Sequence, residues 1–338
     1  MQTIYKEIFM MSDMKLLKSR CKGIFHLQMT PFDSDENLSL SDLRIGLRHT
    51  LKRAEGQDLC FLAGGTTAEF YSMTDKEFLA YAETFVNEVA GEHPVFVGAG
   101  KGSTKATIEM ALEAQRMGAD GVLVVHPYYM SAPEENIIEF YQELSDAIDI
   151  GIMLYNNPTT TKMWLNVPML QKISKIDHVV IDKENVASAQ SYFRITKAVD
   201  PEDMLVYTGM GYELYQYLAP LSPKGMCVGY ASELVNFVPE IAFGIYKAGQ
   251  AGDLQSLKVY ADKLEPYRIF YDKVASKRKV PYSVGPLAAG PGLTTYQAVI
   301  KEIMNILGVP CGKTRRPTGN LTDAEIQELK QVVKALGC

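Results

Sequence analysis

The 338-residue chain has no CxxC pair, and its five cysteines, Cys21, Cys60, Cys227, Cys311 and Cys338, are far apart and odd in number. Reduced thiols in a reducing compartment are expected, and disulfides are not. No HxH or HExxH pair occurs, and His126 has neither a histidine nor a carboxylate at ligand spacing, so no metal is expected. There is no long block of Lys or Arg, and the formal net charge is −6. That balance argues against a surface that tracks nucleic-acid phosphates or anionic lipid. No apolar run approaches the roughly 20 residues of a membrane helix. The opening MQTIYKEIFMMSDMKLLKSR never builds an uninterrupted apolar core before its charges return. Residues 1–20 therefore read as a short N-terminal extension rather than a secretion signal. The expectation is a soluble, cytoplasmic protein acting on a small molecule.

What is present is a repeating pattern. Short apolar runs recur at Gly23–Met29, Leu59–Ala63, Val95–Ala99, Gly121–Val125, Gly151–Tyr155, His178–Lys183, Met204–Thr208 and Gly225–Gly229, each followed by a segment of helical periodicity. The runs are continuous rather than alternating, the mark of strands buried on both faces of a parallel sheet. Thr74-Asp-Lys-Glu77 and Ser131-Ala-Pro-Glu134 have the form of capping boxes at helix starts. Eight such units, with no GxGxxG turn for a dinucleotide, fit a TIM (β/α)8 barrel over residues 21–250. No cofactor is expected. From 251 to 338 the pattern is purely helical, with candidates at 253–274, 294–308 and 322–337, the last opened by the capping box Thr322-Asp-Ala-Glu325. This reads as a C-terminal helical appendage, with Lys277–Pro286 as a solvated connecting loop.

In such barrels the chemistry lies at the C-terminal ends of the strands. The polar residues there are Thr66, Thr67 and Glu69, His126, Tyr128 and Tyr129, Tyr155 and Asn156, Lys183 and Glu184, then Gly209 and Gly211. Lys183 ends an apolar strand, and an amine held out of water gives up its proton more readily and becomes a nucleophile for a ketone. The alternative is a lysine that snorkels to solvent. Tyr155 closes the adjacent strand, either as a proton carrier or as a rim anchor. Gly64-Gly-Thr-Thr67 combines backbone freedom with two hydroxyls, suited to a carboxylate or to a plain turn. Gly65, Gly209 and Cys227, the last within the eighth run, complete the expected substrate lining. Glu69 and Glu184 read as partners of amides or cations, with acid catalysis by a buried Glu69 as the alternative.

Together and in this order, these segments resemble the dihydrodipicolinate synthase / N-acetylneuraminate lyase family of pyruvate-dependent aldolases, from about residue 22 to the C-terminus. Gly65-Thr-Thr-Ala-Glu69 resembles the family's GTTGE loop. Gly98-Ala-Gly-Lys-Gly-Ser-Thr104, Gly118-Ala-Asp-Gly121 and His126-Pro-Tyr-Tyr129 follow at family spacing, Tyr155-Asn-Asn-Pro158 is similar to YNxP, and Ile181-Asp-Lys-Glu184 to GIKE. The resemblance implies that Lys183 forms an imine with pyruvate or another 2-oxo acid and that Tyr155 shuttles protons. It implies that Thr66 and Thr67 hold the carboxylate or support the relay, and that Tyr129 completes the proton path or a subunit contact. It also implies a homotetramer, a dimer of dimers.

The departures bear on substrate. Where the synthases of the lysine precursor carry an arginine for the second substrate's carboxylate, this chain has Thr160, with Lys162 as the nearest cation, and a threonine cannot supply a bidentate fork. Ala68 replaces a glycine of the loop. The stretch from Tyr155 to Lys162 is similar to that of hydratase-aldolases, which suggests an apolar or aromatic acceptor aldehyde, with Trp164, Tyr207, Met210, Tyr212 and Tyr230 as candidate walls. The leading expectation is a lyase that cleaves a 4-hydroxy-2-oxo acid to pyruvate and an aldehyde. The alternatives are a sugar-acid dehydratase on the same imine, a dihydrodipicolinate synthase, a 2-oxo-acid-binding sensor barrel, and, ranked last, a phosphate-binding barrel enzyme using Thr208–Gly211.

Overall fold

The computed structural model describes residues 13–222, 226–278 and 295–338. Eight parallel strands, β1 (Gly23–Leu27), β2 (Leu59–Ala63), β3 (Val95–Gly98), β4 (Gly121–Val125), β5 (Gly151–Asn156), β6 (Val179–Glu184), β7 (Leu205–Thr208) and β8 (Gly229–Ser232), close in sequence order into a barrel. Both faces of every strand are covered, which is why the runs are apolar without alternation. The inward set includes Phe25, Leu62, Phe96, Leu123, Met153, Ile181 and Tyr207. The Phe25 ring meets Phe96 and Tyr207 edge-on at centroid distances of 5.6 and 4.8 Å, so the interior is packed rather than open.

The helices of the outer ring are α1 (Leu40–Arg53), α2 (Asp75–Val89), α3 (Thr104–Arg116), α4 (Glu134–Ala147), α5 (Val167–Ile173), α6 (Ala189–Ala198), α7 (Gly211–Leu221) and α8 (Pro239–Ala251). The Thr74 box caps α2: Glu77 N donates to Thr74 Oγ1 at 3.2 Å and Thr74 N to Glu77 Oε2 at 2.8 Å. The expected box at Ser131 is absent, because α4 starts only after Pro133 and Ser131 stands outside the first turn.

The eighth strand differs from expectation. The run Gly225–Gly229 is more apolar than Gly229–Ser232, yet it is the second that pairs with β1. Gly229 is the crossing point: a Cβ there would lie 1.8 Å from Gly23 O, so only glycine lets the two backbones approach. Residue 225 lies outside the described residues, as do residues 1–12 of the N-terminal stretch and residues 279–294, which include most of the basic loop. Residues 13–20 are helical. Leu17 from that segment is buried with Cys21, Phe25 and Cys60 in the barrel interior, and Arg20 pairs with Asp120 at 3.0 Å. The end of the chain's extension is thus part of the barrel.

Beyond α8 come α9 (Leu254–Ser276), α10 (Tyr296–Ile306) and α11 (Asp323–Leu336), each end within two residues of the sequence expectation. Leu329 and Val333 of α11 are buried in the main core with Leu264, Phe270 and Val274 of α9. Each contributes about 1.5–3 kcal/mol of burial. The Thr322 box caps α11 as read from sequence. Among the described residues no helix is long and apolar enough to cross a membrane.

Candidate active site

Strand register brings the two central residues together. Tyr155 of β5 is paired with Lys183 of β6, and Lys183 in turn with Tyr207 of β7. Alternation along β6 puts Ile181 and Lys183 inside the barrel and Asp182 and Glu184 outside it. Lys183 is 5% exposed, and its Nζ lies 3.9 Å from the centroid of the Tyr155 ring. Among the described residues no carboxylate forms an ion pair with this buried amine, which leaves the aromatic face as its electrostatic partner.

The neighbouring carboxyls are engaged elsewhere. Glu184 accepts from Asn156 Nδ2 at 2.8 Å and from Val186 N at 3.0 Å, and burial pushes its pKa up to about 8. Asp182 is fully buried without a hydrogen-bond partner among the described residues, and burial, then the nearby Glu184, holds its pKa well above the usual range. Both lie on the outer face of β6, where burial favours the protonated acid, and neither pairs with Lys183.

The loop after β2 faces these residues. Gly64 has φ +84°, and a Cβ there would lie 2.3 Å from the Phe78 ring. At the loop's other end Glu69 adopts φ +54°, a left-handed conformation that costs a non-glycine residue free energy. A clamp holds it there. Glu69 and Lys301 of α10, 0% and 1% exposed, form an ion pair at 2.6 Å, and Arg315 N donates to the other carboxylate oxygen at 3.1 Å. Lys301 also donates to Lys313 O at 2.9 Å. Glu69 is therefore a structural anchor and not a catalytic acid. Thr67 Oγ1 lies 3.2 Å from Tyr296 Oη, and Gln297 Nε2 donates to Thr66 O at 3.4 Å. The C-terminal helical appendage thus reaches the site, where α10 fastens the loop.

These groups open on one cavity of about 280 Å3 lined by Thr66, Thr67, Tyr155, Lys183 and Gly209 at one end. Helices α7 and α9, α10 and the residue after β8 supply the other end through Tyr212, Glu213, Glu233, Tyr267, Arg268 and Tyr271, with Tyr296 between the two. An adjoining pocket of about 120 Å3 shares Thr66, Tyr155 and Thr160 and reaches Gly65 and Tyr128. Several residues expected at the site are not there. Cys227 precedes β8 at the opposite end of the barrel, where burial pushes its thiol up to about 11. Tyr129 is 87% exposed and outside the cavity. Tyr207 is sealed in the barrel interior, and Tyr230 turns outward to donate to Ala242 O at 2.9 Å. Trp164 is likewise outside the cavity.

His126 is fully buried with neither ring nitrogen bonded among the described residues, and burial lowers its pKa to about 4. Among the described residues no cluster of three His, Cys, Asp or Glu side chains has the arrangement of a metal site. The pair Asp33-Ser-Asp35 is a turn, in which the Asp33 carboxylate accepts from Asp35 N and Asn37 N.

Residues 20–336 match the family model described as the Dihydrodipicolinate synthetase family. The chain belongs to that family. It is 28% identical over 322 residues to a probable 5-dehydro-4-deoxyglucarate dehydratase of Acinetobacter baumannii, covering 93% of this chain and 95% of the relative. It is 27% identical to a 4-hydroxy-tetrahydrodipicolinate synthase of Oceanobacillus iheyensis, with 90% and 94% covered. The crystal structure of dihydrodipicolinate synthase from Oceanobacillus iheyensis superposes with a TM-score of 0.81 at 20% identity, covering 96% and 99%. YagE, a prophage protein of E. coli K12 belonging to the dihydrodipicolinic acid synthase family and solved in complex with pyruvate, gives 0.78 at 23%, covering 94% and 98%. Family membership makes this a class I pyruvate-dependent aldolase or lyase. The relatives' names, a synthase and a dehydratase, leave the reaction open.

Within the Dihydrodipicolinate synthetase family frame, the departures read from sequence have structural addresses. Thr160 does line the cavity, and its hydroxyl accepts from Asn157 Nδ2 at 2.9 Å. Lys162 is exposed, adopts φ +61°, and turns its amine back onto Thr160 O at 2.8 Å, outside the cavity lining. Tyr267, Arg268, Tyr271, Tyr296 and Glu233 were invisible to sequence reading. The spacing of Tyr267 and Tyr271 on α9 looks like an ordinary core stripe, and Glu233 follows a strand that the apolar pattern places four residues too early.

Proposed function

We propose that this protein is a Schiff-base lyase that cleaves a 4-hydroxy-2-oxo acid reversibly to pyruvate and an aldehyde, with Lys183 as the nucleophile. The observation that carries the reading is a buried lysine, unpaired with any described carboxylate, set against the ring of Tyr155 on the adjacent strand. The neutral amine adds to the C2 ketone, and the carbinolamine loses water to give a protonated imine. A base takes the proton of the C4 hydroxyl, the C3–C4 bond breaks, and its electron pair moves into the imine to form an enamine as the aldehyde departs. Protonation at C3 and hydrolysis release pyruvate and restore the amine.

Tyr155, whose ring lies against the Lys183 amine, is the residue to which we assign these proton transfers. Thr66, Thr67 and Gly209 line the end of the cavity where the C1 carboxylate would lie, with Gly65 beside them in the adjoining pocket, and supply N–H and O–H donors for it. Thr67 Oγ1 in turn lies 3.2 Å from Tyr296 Oη, a second hydroxyl pair lining the cavity. Tyr129 enters this scheme only through a neighbouring subunit of the tetramer, since its own phenol is solvent-exposed; sedimentation of the full chain tests that assembly.

Loss of water from the same imine is the second reading, supported by the likeness to a named dehydratase. Incubation with pyruvate and borohydride, followed by peptide mass spectrometry, should show an adduct on the peptide containing Lys183 and none in Lys183→Ala. A folded protein that forms no adduct with pyruvate or larger 2-oxo acids would sink the mechanism. Product analysis then separates pyruvate plus aldehyde from dehydration without C–C cleavage.

A further inference from the structure

The far end of the cavity has a charge character of its own. Glu233 lines it immediately beyond β8, and its charge is felt by the phenols of Tyr212, Tyr267, Tyr271 and Tyr296. Among the described residues no cation pairs with this carboxyl. Burial, opposed in part by its own backbone N–H and reinforced by Glu213, sets its pKa at about 7. Glu213 lines the same end and is raised as well, mainly by burial.

Arg268 is the only described cation lining that end, and two acids of its own helix already hold it: Nε donates to Glu265 at 3.2 Å and Nη1 to Asp272 at 3.4 Å. An entering carboxylate would give up water to meet the carboxyls of Glu233 and Glu213 and a guanidinium shared between Glu265, Asp272 and the field at Glu213. Like charges in a desolvated site disfavour each other strongly, whereas phenols and carboxyls pair well with hydroxyl or amino groups.

We infer that the cavity selects 2-oxo acids whose far end carries no negative charge, with Glu233 as the specificity-determining residue. The inference rests on reading the cavity as the 2-oxo-acid site. It sets this chain apart from its relatives, because glucarate and dipicolinate are names of dicarboxylates.

The test is binding of a length-matched pair, 2-oxohexanoate and 2-oxoadipate, measured by calorimetry at pH 8 on the full-length protein. The expected result is at least tenfold tighter binding of 2-oxohexanoate, with the gap falling below threefold in Glu233→Gln. Arg268→Met should leave the order of preference unchanged. Equal or tighter binding of 2-oxoadipate, or loss of its binding in Arg268→Met, would overturn the inference and give the far end to Arg268. A gap that persists in Glu233→Gln would remove the role of Glu233 and overturn the inference. The same pair is measured on Lys183→Ala. A preference that holds there while pyruvate trapping on the unsubstituted protein fails would separate this inference from the imine mechanism. If neither acid binds, both readings fall.

Discussion

At one end of the cavity Lys183 and Tyr155 stand on paired strands whose register allows them no other relation, while at the other end Tyr212, Tyr267, Arg268 and Tyr271 stand on helices α7 and α9. Strand side chains are positioned by backbone hydrogen bonds and by alternation, so their mutual distances belong to the barrel itself. Helix side chains are positioned by packing, which changes with any substitution along the interface. A fold built this way can keep one chemistry at the sheet end and vary the acceptor at the helical end. The largest effect should therefore come from the strand pair. Lys183→Ala is expected to lower kcat/KM by on the order of 10^4 or more, because no other described amine reaches the cavity's inner end to form the imine. A retro-aldol assay measures it, and a loss of less than tenfold would break the division of labour.

Behind the Thr66–Thr67 loop lies the buried ion pair of Glu69 and Lys301, which ties the loop's end to α10. Removing one partner leaves a lone charge in a dry site. Lys301→Met should destabilise the fold by about 3–5 kcal/mol, and the double substitution Glu69→Gln with Lys301→Met should restore most of that loss. Denaturant midpoints of the two variants decide the point. If the single and double substitutions are equally destabilised, the clamp owes its strength to packing and not to charge.

Tyr155→Phe keeps the ring against Lys183 and deletes only the hydroxyl. A loss of about 10^2 to 10^3 in kcat is expected if that phenol moves the protons. Imine trapping with pyruvate should slow as well, because dehydration of the carbinolamine also needs a proton donor. A variant with unchanged kcat would leave the ring as a packing partner and hand the relay to Thr67 and Tyr296.

The same contrast explains what could be read from the sequence. The eight strands, the three C-terminal helices and the Lys183–Tyr155 pair were legible because continuous apolar runs report parallel strands and because a residue's place at the end of such a run fixes its place at the barrel mouth. Ser131 failed as a cap because the proline at 133 sets the helix start, and β8 was shifted because its pairing is decided by a backbone crossing at Gly229 that apolar content does not report. Cys227 went wrong with it. The helical end of the cavity was silent for a different reason: an aromatic on α9 looks the same in sequence whether it faces a core or a cavity, and only the packing of α7, α9 and α10 over the mouth tells the two apart.

The smallest effect concerns the outer face of β6, where Glu184 is held protonated up to about pH 8 while an unfolded glutamate titrates near 4.5. Between those values the native state holds a proton that the unfolded chain has lost, so stability falls as pH rises and levels off above 8, by up to about 1.4 kcal/mol per pH unit for each such group. Asp182 acts in the same direction. His26 and His126, lowered to about 4 by burial, act oppositely, but only below their unfolded value of about 6.5. The window from pH 6.5 to 8 therefore isolates the carboxyls from these two histidines. Urea midpoints should decline across that window, and Glu184→Gln, whose single amide oxygen can keep the bond from Asn156 or from Val186 but not both, should decline less. An identical decline in both proteins would mean that Glu184 is ionised in the native state.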